Sequence, residues 1–194
     1  NDQNVVADAY VCAQGSHTST QISLDDSEIG VNYQLVLNDT VPLGVPVSGT
    51  GFSVSFGNQS VAGQYTVLAT NNSTSCTRWL SDTINVVLLP GPTSYELDGG
   101  GSFCAGTAGA NIELSNSENQ VDYQLIWNHT VPIGTAQSGS TGNTVDFGVH
   151  NLTGYYTVVA TDDVGCQSIM LDTLLVNELT TPQITSVIVD EIDC

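Results

Sequence analysis

The chain has 194 residues, one arginine (Arg78), no lysine and 20 acidic residues, for a formal net charge of −19. That balance excludes a nucleic-acid binder, because affinity for phosphate backbones rests on Lys and Arg, and it argues against electrostatic docking on anionic lipid. The longest apolar runs, such as Val86-Val87-Leu88-Leu89, are too short to cross a bilayer, so no direct membrane insertion is expected.

Taken in chain order, the residues predict short strands separated by turns, and no segment reads as a long helix. Ile22 and Leu24 alternate in one strand and Val31, Tyr33, Leu35 and Leu37 in the next. Phe52, Val54 and Phe56 form a further inward row, followed by Tyr65, Val67 and Ala69 and by a last strand from Thr83 to Leu88. Leu89-Pro90-Gly91-Pro92 then reads as a stiff joint, since proline removes a ladder donor and restricts the chain. Gly99-Gly100-Gly101 reads as a turn near the opening of the second half of the chain. The same rows then recur: Ile112 and Leu114; Val121, Tyr123, Leu125 and Trp127; Val145 and Phe147; Tyr156, Val158 and Ala160; and a strand from Thr173 to Val176. A second joint comes at Thr180-Thr181-Pro182.

Sliding the sequence on itself by roughly 90 residues, within the usual span of one domain, brings the halves into register. Cys12 falls on Cys104 and Cys104 on Cys194, Val41-Pro42-Leu43-Gly44 falls on Val131-Pro132-Ile133-Gly134, and Cys76 falls on Cys166. The expected organisation is therefore one repeat over 1–90, a second over 91–181, and the start of a third over 182–194, within a longer array. No signal peptide or sorting signal is visible, so export and anchoring are expected to come from elsewhere in a longer parent. About seven short strands per repeat is the signature of a β-sandwich. The fold class expected is all-β, two tandem immunoglobulin-like β-sandwich domains in an elongated array.

Gly63-x-Tyr65-x-Val67 and Gly154-x-Tyr156-x-Val158 resemble the Gly-x-Tyr-x-Cys segment on strand F of immunoglobulin domains, where the tyrosine hydroxyl closes a corner. Valine stands here in place of the cysteine, so the usual inter-sheet disulfide is absent from its usual place, and Leu24 and Leu114 are expected to fill the opposing core position. Phe103-Cys104-Ala105-Gly106, Ile112-x-Leu114, Tyr156-Thr157-Val158 and Gly165-Cys166 resemble the tandem repeats of giant Bacteroidota surface proteins exported by the type IX secretion system, gliding-motility adhesins among them. The first half carries the same frame from Val11-Cys12 to Cys76.

Five cysteines without Cys-x-x-Cys spacing or a His/Cys cluster read as disulfide partners in an oxidising, extracellular compartment, at the cell surface. The resemblance implies one disulfide per repeat, Cys12 to Cys76 and Cys104 to Cys166, each contributing about 4 kcal/mol in a chain-entropy treatment. The alternative, Cys76 to Cys104 and Cys166 to Cys194, would staple neighbouring repeats.

Thr40, Thr83 and Thr173 sit in Asp-Thr-apolar triplets that resemble the O-glycosylation sequon of that phylum, although Thr is also simply a good strand residue. Several asparagines fit Asn-x-Ser/Thr, a pattern that recurs by chance in so Thr- and Asn-rich a chain. Asp25-Asp26 and Asp162-Asp163 offer oxygen ligands, yet neither pair recurs in the other repeat, which favours solvated turn carboxylates over calcium sites. No metal or other cofactor is expected. His17, His129 and His150 align with different residues, so no Ser/His/Asp constellation is supported and no catalysis is expected. Trp127 reads as a core residue, whereas Arg78 and Trp79 read as a contact between repeats or neighbouring chains.

The function expected is a structural or adhesive segment of a large secreted surface protein or filament, acting as a stacked, load-bearing spacer. Its partners would be adjacent repeats of the same chain, or further copies in a homo-oligomer or filament. The competing expectations are a carbohydrate- or surface-binding module and a non-catalytic accessory segment of a secreted enzyme.

Overall fold

The computed structural model describes residues 3–183 of the chain, which divide into two compact units. Unit 1 comprises the chain up to Pro92 together with Thr161–Ser168, and unit 2 comprises Thr93–Ala160 and the chain from Ile169. The hairpin Thr161–Ser168, which the sequence repeat counts in its second half, thus packs as part of unit 1. The expected start of a third repeat at 182–194 lies, but for Pro182 and Gln183, outside the described residues.

The first half of the chain forms nine strands: β1 (Val5–Val6), β2 (Tyr10–Cys12), β3 (Thr20–Leu24), β4 (Val31–Leu37), β5 (Val41–Ser48), β6 (Val54–Gln59), β7 (Gly63–Asn71), β8 (Thr77–Trp79) and β9 (Ile84–Leu89). One sheet has the order β1-β3-β6, and the other β2-β9-β7-β4-β5 with β8 beside β7. Alternation along β3 and β4 sends Ile22, Leu24, Tyr33 and Leu35 inward, where they meet Tyr65 and Val67 of β7. This is the layout of an immunoglobulin-like sandwich, two sheets closed face to face over one core.

The second half repeats it with β10 (Leu97–Gly99), β11 (Gly101–Cys104), β12 (Ala110–Leu114), β13 (Val121–Trp127), β14 (Val131–Ser138), β15 (Val145–His150), β16 (Gly154–Asp162), β17 (Gln167–Ile169) and β18 (Leu174–Leu179). The sheet orders are β10-β12-β15 and β11-β18-β16-β13-β14, with β17 beside β16. Ile112, Leu114, Tyr123, Leu125, Tyr156 and Val158 form its core, and Trp127 packs against it with its indole nitrogen buried.

Three local devices recur in both units. A bulge interrupts the pairing of β4 with β5 and of β13 with β14, and in each the side-chain amide of Gln34 or Gln124 donates to the strand carbonyls that the bulge leaves open. Left-handed Asn38 and Asp39, or Asn128 and His129, make the tight connection between those strands. The hydroxyl of Tyr65 donates to Val61 O at 2.6 Å and that of Tyr156 to Leu152 O at 2.9 Å, closing the corner before each strand. Burial pushes both hydroxyls above the ordinary tyrosine pKa, a shift that the bond to the carbonyl partly offsets.

Two sequence expectations need revision here. Phe52 precedes β6 and is 77% exposed, because the inward row begins only at Val54. Gly99-Gly100-Gly101 does more than turn: all three have positive φ, and the kink moves the chain from the sheet of β10 to the opposite sheet at β11.

Candidate functional site

The most distinctive chemistry of the chain lies at the end of β2. This strand pairs parallel with β9, Tyr10 opposite Val87 and Cys12 opposite Leu89, so Cys12 sits where both strands leave the sheet. Against it lies the Thr161–Ser168 hairpin of the same unit. Gly15 bridges Cys166, Ser16 N donates to Gly165 O at 3.1 Å, and Gln167 N donates to Gln14 O at 3.0 Å. Within this clamp Cys12 and Cys166 form a disulfide, 154 residues apart in sequence and 5.2 Å between Cα atoms. Both are buried, at 3% and 0% exposure.

Glycine makes the close approach possible. A side chain at Gly15, whose φ is +114°, would run into the carbonyl of Gly165, and one at Gly91 into the carbonyl of Gln167. The hairpin itself is shaped by Asp162, whose carboxylate accepts from Val164 N at 3.2 Å and from Cys166 N at 2.7 Å. Asp162 is therefore a turn-forming carboxylate. Asp25 acts similarly, accepting from the backbone and side-chain amides of Asn4, which hold its carboxyl below the usual carboxylate range.

This pairing corrects the expected disulfides. Neither Cys12–Cys76, Cys104–Cys166, Cys76–Cys104 nor Cys166–Cys194 forms, and among the described residues Cys76 and Cys104 have no disulfide partner and are exposed. The reason is strand direction. Cys12 lies at the C-terminal end of β9, opposite Leu89, while β7 pairs antiparallel with β9 from Gly63 opposite Val86 and then runs the other way to Asn71. Cys76, beyond Asn71, is thus removed from Cys12 by roughly 35 Å of strand, against the 4–7 Å that a disulfide spans. Each repeat carries its two cysteines at opposite ends of its long sheet.

The remaining candidates stay scattered. Thr40 lies in the β4–β5 turn and Thr83 and Thr173 just ahead of β9 and β18, all three exposed. Asp82, beside Thr83, accepts a hydrogen bond from Val5 N at 2.9 Å, and Asp39, beside Thr40, one from the Thr66 hydroxyl at 3.2 Å, so both carboxylates have structural work. Arg78 and Trp79 are both exposed on β8, Trp79 at 48%. Arg78 and Cys76 line a cleft of about 200 Å³ in unit 1 together with Gln3, Glu28 and Tyr33. The cleft is not evident from sequence, because its walls meet through the pairing of β4 with β7 and of β7 with β8 and through the Tyr33 hydroxyl, which accepts from Glu28 N and Gln3 Nε2.

No protein-family model matches the chain, and no curated protein matches it in sequence. Among solved structures it is similar to a Ca2+-stabilized adhesin that helps an Antarctic bacterium bind ice, at 12% identity and a TM-score of 0.52, over 92% of this chain and 49% of that one. It also aligns with murine CEACAM1b, at 10% identity and a TM-score of 0.40, over 91% of this chain and 100% of that one. The human OSCAR ligand-binding domain aligns at 12% identity and a TM-score of 0.38, over 89% of this chain and 97% of that one. The class that the strand order defines is an all-β tandem of immunoglobulin-like sandwiches.

Proposed function

We propose that this chain is a non-catalytic, load-bearing segment of an extracellular surface protein, a structural spacer that holds adhesive elements away from the cell. The observation that carries the reading is the parallel pairing of the first and last long-sheet strands of each repeat. β2 pairs parallel with β9, and β11 pairs parallel with β18 from Gly101 opposite Val176 to Cys104 opposite Leu179. When parallel terminal strands are pulled from the two ends of the chain, they slide in opposite directions and load all their hydrogen bonds at once. Antiparallel terminal strands would unzip one bond at a time.

The buried Cys12–Cys166 bond adds to this reading: while oxidised it carries the pull past the loop it closes, so the β2–β9 ladder bears load once the bond is reduced, and the bond fits an oxidising exterior. The resemblance to giant type IX-secreted surface proteins fits as well, and the exposed Thr40, Thr83 and Thr173 would carry O-glycans in that setting.

Single-molecule pulling from the two termini tests the reading. The oxidised chain should hold the Cys12–Cys166 segment closed, and reductant should release roughly 50 nm of added length. Placing proline at Val11, within the parallel ladder, should lower the unfolding force of the reduced chain. Unfolding at a force unchanged by that substitution would remove the basis for the load-bearing role.

A further inference from the structure

We propose that Cys104 and Cys76 are the two halves of a second disulfide, closed between copies of this chain placed head to tail. Cys104 occupies the place of Cys12. It ends β11 opposite Leu179 as Cys12 ends β2 opposite Leu89, and Ala105 N donates to Leu179 O at 2.8 Å as Ala13 N does to Leu89 O at 3.4 Å. Cys76 occupies the place of Cys166. Asn71 N donates to Cys76 O at 2.9 Å as Asp162 N does to Cys166 O at 3.0 Å, and the residue before each cysteine, Ser75 or Gly165, has positive φ. The chain thus presents one strand end and one hairpin of the kind already joined in Cys12–Cys166, each with its thiol exposed.

Two further observations select a second copy as the occupant. The cleft of about 200 Å³ beside Cys76 contains Arg78, the only Lys or Arg in a chain of net charge −19, so an acidic copy finds its one opposite charge there. The loop after Cys104 is also two residues shorter than the loop after Cys12, and Thr107 folds it back onto Cys104 O, so that among the described residues Cys104 stands exposed at the strand end. Because a strand end meets a hairpin, the contact is heterologous. Such contacts propagate into open chains of copies instead of closing into a symmetric dimer.

Bond formation needs an oxidant, here a small-molecule disulfide of the glutathione type. One cysteine thiolate attacks the oxidant and expels one thiol, and the second thiolate displaces the other thiol from the mixed disulfide. Two protein thiols thereby lose two electrons and two protons, and the oxidant disulfide becomes two thiols.

The proposal rests on the Cys12–Cys166 geometry and on the tandem-module reading, and the test separates the three. The full chain carrying Cys194→Ser is incubated with oxidised and reduced glutathione at physiological salt and mapped by non-reducing peptide mass spectrometry. The expected result is a ladder of linked copies, with the Cys76–Cys104 linkage favoured by roughly tenfold over either symmetric linkage, since pre-set geometry favours one pairing. Adding Cys76→Ser or Cys104→Ser should each stop the ladder, and mixing the two variants should give dimers alone. Comparable amounts of Cys76–Cys76 and Cys104–Cys104, a Cys76–Cys104 bond within one copy, or no linkage would each overturn the proposal while Cys12–Cys166 remains intact. Absence of Cys12–Cys166 itself would overturn the geometry beneath it, and the pulling experiment judges the load-bearing reading independently.

Discussion

The hairpins that come after β7 and β16 share a length of strand, a turn-shaping Asn71 or Asp162 side chain and a cysteine at the same place, yet their surroundings differ. The first stands open with Cys76 exposed; the second is packed against the end of β2 with Cys166 fully buried. The comparison teaches that the local sequence determines the hairpin, while its tertiary neighbour determines what the cysteine does.

The sharpest way to break the comparison is to remove each thiol in turn. Cys166→Ser should cost up to about 5 kcal/mol in the chain-entropy treatment, because it opens a loop of 154 residues, whereas Cys76→Ser should stay within about 0.5 kcal/mol. Urea denaturation midpoints would show the contrast, and equal effects would erase it. The cores, by contrast, should behave alike: Leu24→Ala and Leu114→Ala, both at fully buried positions, are each expected to lose about 2–5 kcal/mol by calorimetry or denaturation. A loss in one only would show that the two sandwiches are less equivalent than their registers.

Gly91→Ala sharpens the comparison at the clamp itself. The added methyl meets the carbonyl of Gln167, so about 1–3 kcal/mol should be lost, and the Cys12–Cys166 bond should be reduced faster by dithiothreitol. Smaller still is the corner hydroxyl. Tyr65→Phe and Tyr156→Phe should each cost about 1 kcal/mol, and together they should flatten the alkaline limb of stability. Both tyrosines are pushed above 10.0 in the folded chain, chiefly by burial. Their contribution is therefore complete below pH 10 and is lost as pH rises through the folded values, a slope measurable by denaturation between pH 9 and 11.

Much of the architecture was legible in the residues. The rows through Leu24 and Leu114, and through Tyr65 and Tyr156, are buried as period-2 alternation implies, and Trp127 packs on the core in the place of Leu37. Phe52 departs from the alternation because it precedes β6, which begins at Val54, and its side chain stays largely in solvent. The disulfide was not legible from spacing, since a separation along the chain says nothing about which end of a strand a cysteine occupies. Strand order does carry that signal: with β2 parallel to β9 and β7 antiparallel to it, Cys12 and Cys76 must lie at opposite ends. The cleft beside Arg78 could not be read from sequence, because its walls come from four separate stretches of chain.

The most direct test is non-reducing peptide mapping of the monomeric chain, cut by a protease that does not need lysine. The structure predicts a Cys12–Cys166 linked peptide, with Cys76 and Cys104 open to alkylation. A map joining Cys12 to Cys76 and Cys104 to Cys166 would contradict it, and the clamp at the end of β2 with it.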